Sequence, residues 1–63
     1  MNSVRIETQY ASQSEFKTSE QLCSEFGAVV TCVTDKSASV EVESPDKFIQ
    51  SLRHAGIFAE IEN

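Results

Sequence analysis

Residues 28–43 read AVVTCVTDKSASVEVE, and this stretch decides the fold. Its first part, AVVTCVT, carries no charge and is rich in β-branched residues, which favour strands. Its last part, ASVEVE, alternates apolar and polar residues, as is typical of a half-buried strand. Because a short polar turn at 35–37 separates the two parts, the stretch predicts a β-hairpin.

A helix is predicted upstream of the hairpin, beginning either at a capping box or later, at Thr18. Ser12 and Glu15 have the spacing of a capping box, in which each side chain accepts a hydrogen bond from the other residue's backbone N–H. Gly27 follows as a stop signal. On a helical wheel the apolar stripe of this segment consists of Phe16, Leu22, Cys23 and Phe26.

A second helix is predicted downstream of the hairpin. Residues 44–46 read Ser-Pro-Asp, which places a serine at the N-cap, a proline at the first helical position and an acidic residue in the first turn. Gly56 ends the helix. The apolar stripe here consists of Phe48, Ile49, Leu52 and Ala55.

Alternating segments at the two ends of the chain predict two further strands. In SVRIETQY, at 3–10, one face consists of Val4, Ile6, Thr8 and Tyr10, and the other of Arg5, Glu7 and Gln9. In IFAEIE, at 57–62, one face consists of Ile57, Ala59 and Ile61, and the other of Phe58, Glu60 and Glu62.

The predicted order is therefore β-α-β-β-α-β, which is the split βαββαβ sandwich of ferredoxin-like domains in the α+β class. Right-handed crossovers place both helices on one face of a four-stranded antiparallel sheet, with the first and third strands central and the second and fourth at the edges. With 63 residues, the chain 1–63 is expected to form a single small domain.

The register of the hairpin has two alternatives. A two-residue turn pairs Val33 with Ala38, which directs Val29, Thr31 and Val33 toward the core and Cys32 outward. A three-residue turn reverses these directions, because successive side chains of a strand point to opposite faces.

The chain from the hairpin onward resembles a heavy-metal-associated domain, the small module of copper chaperones and metal-transporting ATPases. The similarity lies in the valine-rich hairpin, in SPDKFIQSLRHAGI as the second helix and in AGIFAEIE as the last turn and strand. The resemblance implies the ferredoxin-like fold. In that family a Cys-x-x-Cys after the first strand holds Cu(I), whereas TQYASQSEF occupies this place here, so metal transport is not expected.

Ten acidic residues against five basic ones give a net charge of −5, which argues against direct binding to nucleic acid or to an anionic membrane. There is no apolar stretch long enough to cross a bilayer and no signal peptide, so a cytoplasmic protein is expected. Cys23 and Cys32 are expected to be free thiols, Cys23 within the apolar stripe. No metal or cofactor is predicted.

Catalysis is not expected either. The single histidine, His54, falls on the polar side of the second helix, so no serine has a positioned base. The pairs Glu41/Glu43 and Glu60/Glu62 lie on a flat strand surface rather than in a pocket that excludes water.

The chain is therefore predicted to be a non-catalytic protein-binding module, a small inhibitor or regulator of a nucleic-acid-handling protein by analogy with those that phages encode. The glutamates on the open face of the sheet have two interpretations: a solvated polar face that keeps the protein soluble, or a docking surface for a basic partner. The uncharged second strand would be an exposed edge. The predicted contact residues are Glu7, Val29, Thr31, Val33, Glu41, Glu43, Phe58, Glu60 and Glu62.

Two other functions are compatible with the same pattern. One is a small-ligand or metal-binding domain that has lost the usual motif of the heavy-metal family. The other is self-association into a homodimer through the 28–34 edge strand.

Overall fold

The computed structural model describes residues 2–9 and 11–62. Six elements follow one another in the predicted order. They are β1 (Asn2–Glu7), α1 (Gln13–Phe26), β2 (Val29–Val33), β3 (Ser37–Val42), α2 (Pro45–His54) and β4 (Ala59–Glu62). Tyr10, predicted to continue the apolar face of the first strand, lies outside the described residues.

The four strands form one antiparallel sheet in the order β2-β3-β1-β4, which confirms the predicted α+β ferredoxin-like layout. β1 and β3 are central, and β2 and β4 are the two edges. β1 is shorter than predicted, since pairing stops at Glu7. The next two backbone N–H groups, of Thr8 and Gln9, donate instead to the Lys36 carbonyl at 3.0 and 3.1 Å, which ties this loop to the tip of the hairpin.

The core lies between α2 and the central strands. Phe48 and Leu52 of α2 are fully buried, as are Val4 of β1 and Val40 of β3. Ile6, Val42, Ile57 and Ala59 complete the cluster of buried residues. These are the apolar positions that the alternating and helical patterns predict, and burying them supplies most of the free energy that holds so small a domain together.

α1 begins at the capping box, the earlier of its two predicted starts, and ends at Gly27 as predicted. The Ser12 hydroxyl accepts from the Glu15 N–H at 3.2 Å, and the Glu15 carboxylate accepts from the Ser12 N–H at 2.9 Å, so both halves of the capping box are present. Gly27 ends the helix at φ +68°, a left-handed conformation that glycine adopts without strain.

The apolar stripe of α1 is buried over its C-terminal half only. Leu22, Cys23 and Phe26 pack against the core, and the Phe26 ring meets Phe48 edge to face at 5.4 Å between centroids. Phe16, predicted in the same stripe, is 47% exposed, and the one buried residue of the helix is Ser19. Phe16, near the start of α1, is therefore left outside the core.

α2 also starts where predicted, with Ser44 at the N-cap and Pro45 at the first helical position. The Ser44 side chain, however, makes no capping hydrogen bond. The first backbone hydrogen bond of the helix is formed, with the Phe48 N–H donating to the Ser44 carbonyl at 3.2 Å. The turn after the helix passes through Gly56 at φ +88°.

The hairpin combines parts of both predicted registers. Val33 pairs with Ala38 and Cys32 with Ser39, as a two-residue turn requires. The register then shifts between Val30 and Cys32, so Thr31 is an extra, bulged residue. As a result Val29 pairs with Glu41 and lies on the open face, not on the core side where the two-residue turn alone would place it.

Truncating the central aromatic residue tests this core. Replacing Phe48 with alanine is expected to cost about 3–5 kcal/mol of unfolding free energy, because it leaves a cavity in the middle of the domain. That loss is comparable with the whole stability of about 3–9 kcal/mol expected for a chain of this length. Urea denaturation followed by circular dichroism measures it. Phe58→Ala is the matched control, because Phe58 is 55% exposed and its loss should cost about 1 kcal/mol or less.

The capping box makes helix α1 pH-dependent. The hydrogen bonds from Ser12, that of its backbone N–H first, hold the pKa of Glu15 below its usual value of 4.5. Because the folded pKa is lowered, this contribution to stability is present above pH 4.5 and is lost as the pH falls through the folded value. NMR titration of Glu15 should give a midpoint below 4.5, and Ser12→Ala should move it only part of the way back, because alanine removes the hydroxyl but keeps the backbone N–H. A midpoint in the wild-type chain that is not below 4.5 would contradict the capping geometry.

Candidate functional site

The open face of the sheet is arranged in cross-strand rows. One row runs Val29, Glu41, Ser3 and Glu62 across the four strands, and the next runs Cys32, Ser39, Arg5 and Glu60. Glu7 follows on β1, opposite Ser37. The register thus brings together four of the predicted glutamates on one surface, and the fifth, Glu43, is exposed in the bend after β3.

Arg5 is the one cation in these rows. Its guanidinium pairs with Glu60 across the β1–β4 ladder, and its Nε lies 3.2 Å from Glu7 on the same strand. Glu62 accepts a hydrogen bond from the Ser3 hydroxyl at 3.4 Å. Within residues 2–9 and 11–62, Glu41 and Glu43 have no ion-pair partner. The negative charge in excess is therefore greatest on the β3 side of the face, next to β2.

The edge at β4 is covered by a side chain. The Glu7 N–H donates to the Phe58 carbonyl, so the next carbonyl along the strand, that of Ala59, points away from the sheet. Arg53 of α2 donates to this carbonyl from Nε at 3.2 Å and from Nη2 at 3.0 Å. The same guanidinium lies 5.5 Å from the centre of the Phe58 ring. Phe58, predicted as an anchor among the glutamates, is thus engaged at this edge.

The edge at β2 has no such cover. All five of its residues are exposed, and Val29, Val30 and Val33 are 55%, 53% and 68% exposed. The Thr34 N–H donates to the Ser37 carbonyl at 2.8 Å, so the alternation of the ladder directs the N–H and C=O of Val33 outward. Thr31 occupies the bulge, where its hydroxyl donates to the Ser39 carbonyl at 3.1 Å. An apolar strand with free backbone groups is a template for pairing with another chain.

A groove lies beside this edge, between α1 and the helix-facing side of the sheet. It encloses about 340 Å³, within the range of about 300–1,000 Å³ found for ligand pockets. Ala38 and Val40 of β3 form part of its floor, and Val30 and Val33 line its β2 side. The α1 wall consists of Phe16, Ser19, Glu20 and Cys23. The groove thus lies where Phe16, near the start of α1, is left outside the core.

The two cysteines differ in their surroundings. Cys23 is half-buried in the wall of the groove, and burial first, then the nearby Glu20 carboxylate, raises the pKa of its thiol above the usual 9.0. It therefore stays protonated and apolar at neutral pH, as a packing residue does. Cys32 is exposed on the opposite face of the sheet. No group of three or more His, Cys, Asp or Glu side chains that could hold a metal comes together within residues 2–9 and 11–62.

The groove was not predicted from the sequence. The sequence pattern places Phe16 in the apolar stripe of α1, and it leaves the face of Val30 dependent on the turn. One signal could have suggested it: AVVTCVT is apolar on both faces, and α1 offers only Phe16 to cover the far end of that strand. The apolar stripe of α1 is too small to cover both the central strands and the valine-rich edge strand.

Comparisons with protein-family models, with curated proteins and with solved structures find no match for this chain. In the part of the chain that the structure describes, neither helix has the length and apolar character needed to span a membrane.

Proposed function

We propose that this chain is a non-catalytic protein-binding module that engages a basic protein partner through strand β2 and the acidic open face. The partner contributes an extended segment that pairs with β2, and its Lys and Arg side chains lie against the glutamates. An inhibitor or regulator that covers the basic surface of a nucleic-acid-handling protein fits this description, because such surfaces are built to attract phosphate.

The main support for this proposal is the difference between the two edges of the sheet. At β4, Arg53 occupies the outward carbonyl of Ala59 and so blocks the addition of a strand. At β2 no charged residue lies between Gly27 and Asp35, and every residue of the strand is exposed. Proteins usually protect edges with charge or cover, so an edge left bare beside one that is protected favours use as a contact surface.

Charge selects the kind of partner. Glu41 lies directly beside β2 on the open face, opposite Val29, and has no ion pair among the described residues. A second copy of this chain would bring another net charge of −5 to the same edge. The negative charge at this edge attracts a basic segment and repels a second copy of the chain. A hetero-complex is therefore favoured over the homodimer.

Removing one outward donor tests the use of the edge. Val33→Pro deletes the outward N–H while leaving the ladder to β3 intact, since proline is tolerated on edge strands. Capture of partners from a lysate of the native host should weaken by roughly two- to tenfold, the value of one hydrogen bond. The matched control Val33→Thr keeps the N–H and should retain capture.

The same capture assay tests the contribution of the glutamates on the open face. Glu41→Gln with Glu62→Gln should weaken capture by about two- to fivefold per carboxylate. Glu25→Gln with Asp46→Asn removes the same charge from exposed helix positions and should have little effect. Capture should also fall as salt rises. If Val33→Pro binds like wild type, or if capture is indifferent to salt, the proposed function is wrong.

A further inference from the structure

The groove beside β2 is continuous with the bare edge. Val30 and Val33 belong to both, because they lie on the helix-facing side of the edge strand and line the cavity. They are more than half exposed although they face α1, so the groove opens toward that edge. Phe16, which is 47% exposed, lies on the α1 side of this opening. A strand added to β2 would therefore place every second side chain at this opening.

We infer that the groove between α1 and β2 takes alternate apolar side chains of the partner's extended segment, so that the segment recognised alternates large apolar residues with lysine or arginine. The inference rests on the proposed function, because it assumes that a strand pairs with β2. Alternate residues of a strand lie about 6.6 Å apart on one face, so a segment spanning β2 can present more than one apolar side chain to the cavity.

The intervening residues meet the other face of the sheet. There Glu41 lies one strand in from the edge, opposite Val29, and is free of ion pairs among the described residues. On the groove side, Glu20 adds a carboxylate to the α1 wall, which otherwise carries no charge. The two faces of an added strand thus meet different chemistry, with burial of apolar area on one and opposite charge on the other.

Two synthetic peptides of identical composition test the pattern against the full chain. In one, leucine and lysine alternate; in the other, all the leucines are grouped at one end. Titrations followed by NMR of the labelled chain should show the alternating peptide binding at least about tenfold more tightly, since only it can bury leucines in the groove while pairing lysines with the glutamates. Its binding should shift the amides of β2 and the methyl groups of Val30 and Val33.

Variants of the groove complete the experiment. Ala38→Phe fills the cavity from its floor and should abolish the preference for the alternating peptide, whereas Ala38→Ser leaves the groove open and should keep it. Phe16→Ser removes the exposed wall instead, without adding volume to the core, and should also abolish the preference. Urea denaturation establishes that each variant is folded.

The outcomes separate this inference from the proposed function. Equal affinity for both peptides, with shifts confined to the acidic face, would overturn the groove inference while leaving a basic partner in place. A groove that takes a small apolar dye but neither peptide would overturn it in favour of small-ligand binding. Translational diffusion that slows as the free chain is concentrated would overturn it in favour of a second copy. Loss of capture in Val33→Pro, measured separately, reports on the edge alone.

Discussion

The packing of Phe48 and Leu52 onto the central strands is the contact on which the rest of the structure depends. These two side chains of α2 are fully buried in one cluster with Val4 and Val40. A domain of this size has little stability in reserve, so this one cluster has to fix the sheet, the direction of α2 and the return of β4. The remaining elements can then be less closely packed without loss of the fold.

α1 and β2 are the elements that remain incomplete. α1 is anchored to the core by Leu22, Cys23 and Phe26, whereas Phe16 near its start is exposed and lines the groove. β2 has one ladder partner, no cover and no charge of its own. The groove beside α1 and the uncovered strand β2 therefore lie at one edge, and both lack the close packing of the core. An account in which a partner supplies the missing strand and side chains explains both of them together, and it explains why the opposite edge carries Arg53.

The sequence predicted the elements whose signals are local. The Ser12–Glu15 capping box, Pro45 at the start of α2 and the alternation of β3 each depend on residues a few positions apart, and each was confirmed. The bulge at Thr31 could not be predicted, because it depends on how two strands meet, and it alone moved Val29 to the open face. The exposure of Phe16 could not be predicted either, because it depends on how the whole of α1 lies against the sheet. The position of Phe58 depends on its contact with the guanidinium of Arg53 from α2. The glutamates of the open face were predictable because strand alternation already groups them.

Amide hydrogen exchange shows whether another chain pairs with β2. In the free chain the Thr34 N–H, bonded to Ser37, should exchange slowly, and the outward N–H of Val33 should exchange fast. When the captured partner is bound, the Val33 N–H should become protected along with the rest of the strand, because it then has an acceptor. A Val33 N–H that still exchanges fast in the complex would contradict the account.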